Sequence, residues 1–125
     1  MALVHPELRF YVGDTWEIEA DLHYADGSPF NLGAGAAVTW QMSDANGNVI
    51  FSLSLGAGVT VADTADNPPY QVAIAVPGAN AAQPLTGNYP TTAAVLPGRY
   101  SDRIIAVDPS GYRSTQCVGV IDVKA

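Results

Sequence analysis

The sequence has a single cysteine, Cys117, in 125 residues. No internal disulfide can form, so the fold stands on packing alone, and such a chain suits a reducing compartment. Lysine occurs once, as Lys124, and arginine four times, against twelve acids, for a net charge of −7. Bare phosphate backbones and anionic lipid repel a chain of this charge, which argues against nucleic-acid and membrane partners. No apolar run approaches the roughly 20 residues that span a bilayer. Residues 1–13 lack a basic start followed by an apolar stretch, so no signal peptide is expected and synthesis is expected in the cytoplasm. Acceptors of the N-x-[ST] type are absent as well.

Motifs that carry chemistry are equally scarce. His5 and His23 are the only histidines, and with one cysteine they cannot fill a tetrahedral zinc site without carboxylates or a second chain. Asp44, Asn46 and Asn48 imitate the start of a calcium loop, but its sixth and twelfth positions hold Val49 and Leu55 instead of Gly and Glu. There is no G-x-S-x-G nucleophile motif. Gly33-Ala34-Gly35 and Gly56-Ala57-Gly58 have neither the spacing nor the following helix of a phosphate loop. Cys117 lies in an apolar stretch and reads as a small packed side chain. The expectation is a protein that is not an enzyme, with no cofactor and no bound metal.

What is present is alternation. Asp14 to Asp26 is the longest run without Gly or Pro, thirteen residues. Within it Trp16, Ile18, Ala20 and Leu22 share one parity, and Glu17, Glu19, Asp21 and His23 the other. This is a strand with one buried and one solvated face. Acids spaced by two along a strand sit about 6–7 Å apart, too far for two of them to chelate one ion unaided. The acidic stripe therefore reads as a solvated face that discourages sheet-edge pairing.

The same pattern predicts further strands over 8–12, 37–43, 49–55, 59–63, 70–76, 98–107 and 114–123. Asn46-Gly47 marks a tight hairpin, and Asp26-Gly27-Ser28-Pro29 and Asp108-Pro109-Ser110-Gly111 mark turns. Trp16 and Trp40 are expected to point into the core. Tyr100, after the Pro97-Gly98 corner, is expected to bond back to nearby backbone through its hydroxyl. Seven or eight strands with hairpin-length connections predict an all-β, immunoglobulin-like sandwich of antiparallel strands over residues 8–125, preceded by an N-terminal arm at 1–7. Residues 77–97, rich in Pro, Gly, Ala, Asn and Thr, read as one long loop.

The ordered series Val12-Gly13-Asp14-Thr15, Asp26-Gly27-Ser28-Pro29-Phe30-Asn31-Leu32, Val38-Thr39-Trp40-Gln41-Met42, Leu96-Pro97-Gly98-Arg99-Tyr100 and Asp108-Pro109-Ser110-Gly111 resembles the Ig-like domains of tailed-phage structural proteins, in particular the N-terminal domain of BppU-type upper baseplate proteins. Residues 77–92 look like an insertion into that pattern. The resemblance implies a non-enzymatic virion component of the tail, baseplate or head decoration, oligomeric in the assembled particle. Its partners would be other virion proteins or copies of itself. Leu3, Val4, Leu85, Tyr89 and Val95 are expected interface residues, because an arm and a long loop offer apolar groups little core to join, and Tyr112 joins them as an exposed turn tyrosine of the kind that marks interfaces. The alternative is a carbohydrate-binding or host-adhesion module, with exposed Tyr89 or Tyr112 stacking on a surface glycan.

Overall fold

In a computed structural model, which describes residues 3–78, 92 and 95–125, the chain is all-β, with no α-helix among the described residues. The described residues form nine strands: β1 (Leu3–Val4), β2 (Leu8–Tyr11), β3 (Trp16–Asp21), β4 (Ala37–Ser43), β5 (Val49–Leu55), β6 (Gly58–Ala62), β7 (Gln71–Val76), β8 (Gly98–Val107) and β9 (Arg113–Lys124). They make one mixed sheet in the order β1-β9-β8-β4-β5-β6-β7-β3, with β2 also on β9.

Two features differ from the expected antiparallel arrangement. Leu3 and Val4 form a strand, and both β1 and β2 run parallel to β9. Parallel neighbours need a long crossover between them. Here the crossover is nearly the whole chain, so the first and last segments end side by side. The second feature is β5–β6, where Ser54 and Leu55 meet Gly58 and Val59 in a short parallel contact.

The sheet is strongly curled, and its two ends meet. The Phe10 ring on β2 stacks on the Trp16 indole of β3, with ring centroids 5.2 Å apart. The Trp16 Nε1–H donates to the Tyr11 carbonyl at 2.9 Å. Phe51 of β5 lies edge-on to Trp16 and stacked near Trp40. Both tryptophans are fully buried, as the alternation of β3 and β4 predicts. Around them Phe30, Val38, Met42, Leu53, Ile74 and Ile104 complete the enclosed interior.

Two β-bulges break the simple alternation. Met42 opposes Phe51 and Ser43 opposes Val49, so Ile50 is the extra residue, and Ile50 and Phe51 are both buried. Between β8 and β9, Ile104 opposes Cys117 and Ile105 opposes Thr115, leaving Gln116 as the extra residue. The turns behave as their residues require. Gly47 sits at φ +83° in the β4–β5 hairpin, while Asp44 Oδ1 accepts from the Asn46 and Asn48 amides. The carboxylate that imitated a calcium ligand is thus spent on its own turn. The Tyr100 hydroxyl donates to the Leu96 carbonyl at 2.6 Å, the expected corner bond. Thr92 ties the chain back to the body, its hydroxyl donating to the Asp14 carbonyl at 2.7 Å.

Candidate functional site: the seam between β3 and the N-terminal strands

The two ends of the curled sheet face one another across a seam, with β3 on one side and β1, β2 and β9 on the other. Among the described residues, β3 pairs only with β7. The Leu22 N–H donates to the Tyr70 carbonyl, extending the register in which Asp21 opposes Gln71. In an antiparallel ladder, alternate residues bond to the same neighbour. Trp16, Ile18 and Ala20, in step with Leu22, therefore direct their backbone groups to β7. Glu17, Glu19 and Asp21 direct theirs into the seam. His23 has the same parity, and its N–H crosses the seam to donate to Gln116 Oε1 at 2.9 Å. The bulge that displaces Gln116 is what brings its side chain there.

The opposite wall is set by His5. Its N–H donates to the Val118 carbonyl, fixing β1 on β9. Its Nε2 lies 2.6 Å from Asp102 Oδ1 and its Nδ1 2.7 Å from the Pro6 carbonyl oxygen. Asp102 is almost completely buried and also accepts from the Trp40 Nε1–H at 3.0 Å. A buried carboxylate needs such partners, since an unpaired one is costly to desolvate. The ring stands directly on Gly119, where a Cβ would collide with it. The segment expected as an arm is accordingly seated by a strand pairing and a buried acid, and Gly119 makes room for it.

The groove along the seam divides into three stretches. A cavity of about 260 Å³ lies among His5, Leu8, Ile18, Ala20, Ile104 and Cys117. One of about 590 Å³ follows between Leu3, Val4 and Pro6 on one side and Glu19, Asp21 and His23 on the other. A third, of about 470 Å³, reaches Tyr24, Ala25 and Gly27. The floor is apolar and the β3 rim acidic. The ion pairs among the described residues are His5–Asp102, Arg9–Asp122, Arg99–Glu7 and Lys124–Asp122, none of which involves Glu17, Glu19 or Asp21.

Cys117, His5 and Asp102 share one cavity, a combination that invites a nucleophile reading. The geometry points the other way. Both ring nitrogens of His5 are engaged by oxygen partners. Burial, and then the neighbouring Asp102 charge, push the Cys117 thiol up from its ordinary range, whereas an attacking thiol needs to be pulled down. Among the described residues, no three His, Cys, Asp or Glu side chains gather where they could hold a metal ion. The trio works as an anchor for the N-terminal segment.

Beyond the seam's far end, Tyr24 and Asp108 form a second polar cluster. The Tyr24 hydroxyl donates to Asp108 Oδ2 at 2.7 Å. Asp108 Oδ1 accepts from the Ser110 hydroxyl and from the Ser110 and Tyr112 amides. The Ser110 and Tyr24 hydroxyls together hold the Asp108 carboxyl down at about 2, while the acceptor beside it pushes the Tyr24 hydroxyl up.

No family model matches this chain, and no curated protein matches it.

Of the expected interface residues, Leu3 and Val4 line the seam and are 66% and 77% exposed. Tyr112 is half exposed at the β8–β9 turn, its ring against Tyr24 and Phe30. Val95 is 2% exposed and packs in the core, so its side chain already has the apolar surroundings it was expected to seek elsewhere. Leu85 and Tyr89 lie outside the described residues. Asp102 and Gln116 escape the sequence reading. Asp102 leaves a trace, since it falls at an inward position between Tyr100 and Ile104. Gln116 leaves none, because a bulge carries no residue signature here.

Proposed function

We propose that this chain is a non-enzymatic structural module of a tailed-phage virion, an immunoglobulin-like β-sandwich acting through contacts with other virion proteins. The observation that carries the reading is the seam, where two exposed apolar side chains, Leu3 and Val4, stand beside a sheet edge that is unpaired among the described residues. Apolar groups in that position are the kind that a neighbouring subunit covers. The sandwich reading is supported by the near-division of the sheet into β3-β7-β6 and β5-β4-β8-β9, whose pairing among the described residues is joined at the short β5–β6 contact. It is supported too by the Tyr100 corner and by Trp40 between the layers. The virion assignment rests on the ordered turn motifs from Val12 to Gly111 and their resemblance to phage Ig-like domains.

Mass spectrometry of purified particles tests the assignment, with the chain expected in fixed stoichiometry to the tail or head proteins. The double variant Leu3→Asp, Val4→Asp is expected to keep the circular-dichroism spectrum and melting cooperativity while incorporation falls. Absence of the chain from particles, or unaltered incorporation of the variant, would count against the proposal.

A further inference from the structure

We propose that the free edge of β3 takes up an extended, basic segment of a partner protein, which adds as a further strand along Glu17–Asp21. The inference deepens the assembly reading by giving the partner a chemistry, and it rests on that reading only in taking the contact to be with protein.

Glu17, Glu19 and Asp21 turn their N–H and C=O groups into the seam, and among the described residues no strand pairs with them there. A strand edge of this kind is a template for another extended chain. The window has two ends. The Trp16 indole bonded to Tyr11 closes one, and the His23 amide bonded to Gln116 closes the other.

A strand lying in this window shows its side chains alternately to two faces. On the outer face it meets the exposed carboxylates of Glu17, Glu19 and Asp21, which have no base among the described ion pairs. Lysine or arginine at alternate positions answers that face, because oppositely charged cross-strand pairs stabilise and like pairs destabilise. On the inner face it meets the cavity floored by Leu8, Ile18, Ala20 and Cys117. Small apolar residues answer that one. The occupant is therefore a segment alternating basic and small apolar residues.

A second copy of this chain does not fit. Antiparallel self-pairing of β3 about Glu19 sets Glu17 against Asp21 and Glu19 against Glu19, between chains of net charge −7. The chain's own bases are spread over β2, β8 and β9, with Arg9, Arg99 and Lys124 already in ion pairs. The acidic stripe thus does two things at once, opposing β3–β3 self-pairing and selecting a basic partner.

The test uses the full ¹⁵N-labelled chain and two blocked hexapeptides, one alternating valine with lysine and one alternating valine with glutamate. At about 1 mM peptide, enough to reveal even a weak complex, the lysine peptide is expected to slow amide exchange at Glu17, Glu19 and Asp21 by about tenfold or more. Trp16, Ile18 and Ala20, already bonded to β7, are expected to stay as they were. The glutamate peptide is expected to do nothing. The triple variant Glu17→Lys, Glu19→Lys, Asp21→Lys is expected to exchange the two preferences. The proposal is overturned if the lysine peptide gives no protection at these three amides, or if both peptides protect them equally. The wild-type comparison decides the matter even where the triple variant does not fold. Failure of the peptides leaves the particle experiment on Leu3 and Val4 standing, and absence of the chain from particles leaves the peptide result standing.

Discussion

The two halves of the seam are made from the same two segments and end up differently. At the Trp16 end, a stacked ring pair and an indole hydrogen bond close the curl, and the indole is fully buried. From Glu17 to His23 the strands stay apart, and the gap is spanned at its far end by the His23 N–H donating to the Gln116 side-chain oxygen. The difference follows from side-chain size and polarity. Phe10 and Trp16 reach across the gap between sheet ends, whereas the apolar residues at the same parity further along β3 are Ile18 and Ala20, too short to do so. The second half depends instead on the N-terminal segment, held from below by His5 on Asp102. Large aromatic groups seal a curled sheet; small ones leave an edge for something else.

Trp16→Ala removes the group that closes the first half and is expected to have the largest effect. Loss of a fully buried indole costs about 3–5 kcal/mol, and urea denaturation is expected to show it as a lowered midpoint.

Asp102→Ala comes next. It leaves the Trp40 indole N–H without its acceptor and His5 without its seat, and each buried group orphaned in this way costs about 1–3 kcal/mol. The companion variant Gly119→Ala drives a Cβ into the His5 ring and is expected to raise exchange at the His5 amide selectively, with a smaller global loss of about 1–3 kcal/mol.

Acid titration separates the seam from the cluster beyond it. Asp108 is held at about 2 in the folded chain, against an ordinary 3.8. A depressed carboxyl adds stability above its unfolded value and loses it as pH falls through the folded one. Stability is therefore expected to fall between about pH 4 and pH 2. Asp26 and Asp44 are lowered by the hydrogen bonds of their own turns and act with the same sign. Asp108→Asn is expected to flatten that stretch of the pH profile while lowering the plateau, as read by urea midpoints at each pH.

The smallest effect belongs to Gln116→Ala. One partly exposed bridge is worth about 0.5–1.5 kcal/mol. The expected signature is local, with faster exchange at the His23 amide and little change at Trp40.

Much of the strand map is legible in the sequence, for a physical reason. Strands 37–43, 49–55 and 98–107 are bounded by Gly, Pro or Asp-rich turns, and their interiors alternate, so burial and breaker residues agree. The Asn-Gly hairpin and the Tyr100 corner are readable because single residues dictate them. β1 is not readable, since two residues carry no period and Leu3–Val4 becomes a strand only by docking on β9. Its parallel direction is likewise a tertiary outcome. The bulges at Ile50 and Gln116 are pairing mismatches between segments distant in sequence, and no window of one segment contains them. For the seam, the exposure of Leu3 and Val4 follows from the sequence reading, but its depth does not. Its depth depends on Asp102 and Gly119, which meet His5 only after the last two strands pair. Val95 went to the core because the chain returns to the body at Thr92.

Native-state amide exchange along β3 in the free chain is the most direct measurement of the open edge. A strict alternation is expected, with slow exchange at Trp16, Ile18 and Ala20 and fast exchange at Glu17, Glu19 and Asp21. Uniform slow exchange across all six would mean that the edge is already covered, and would contradict it.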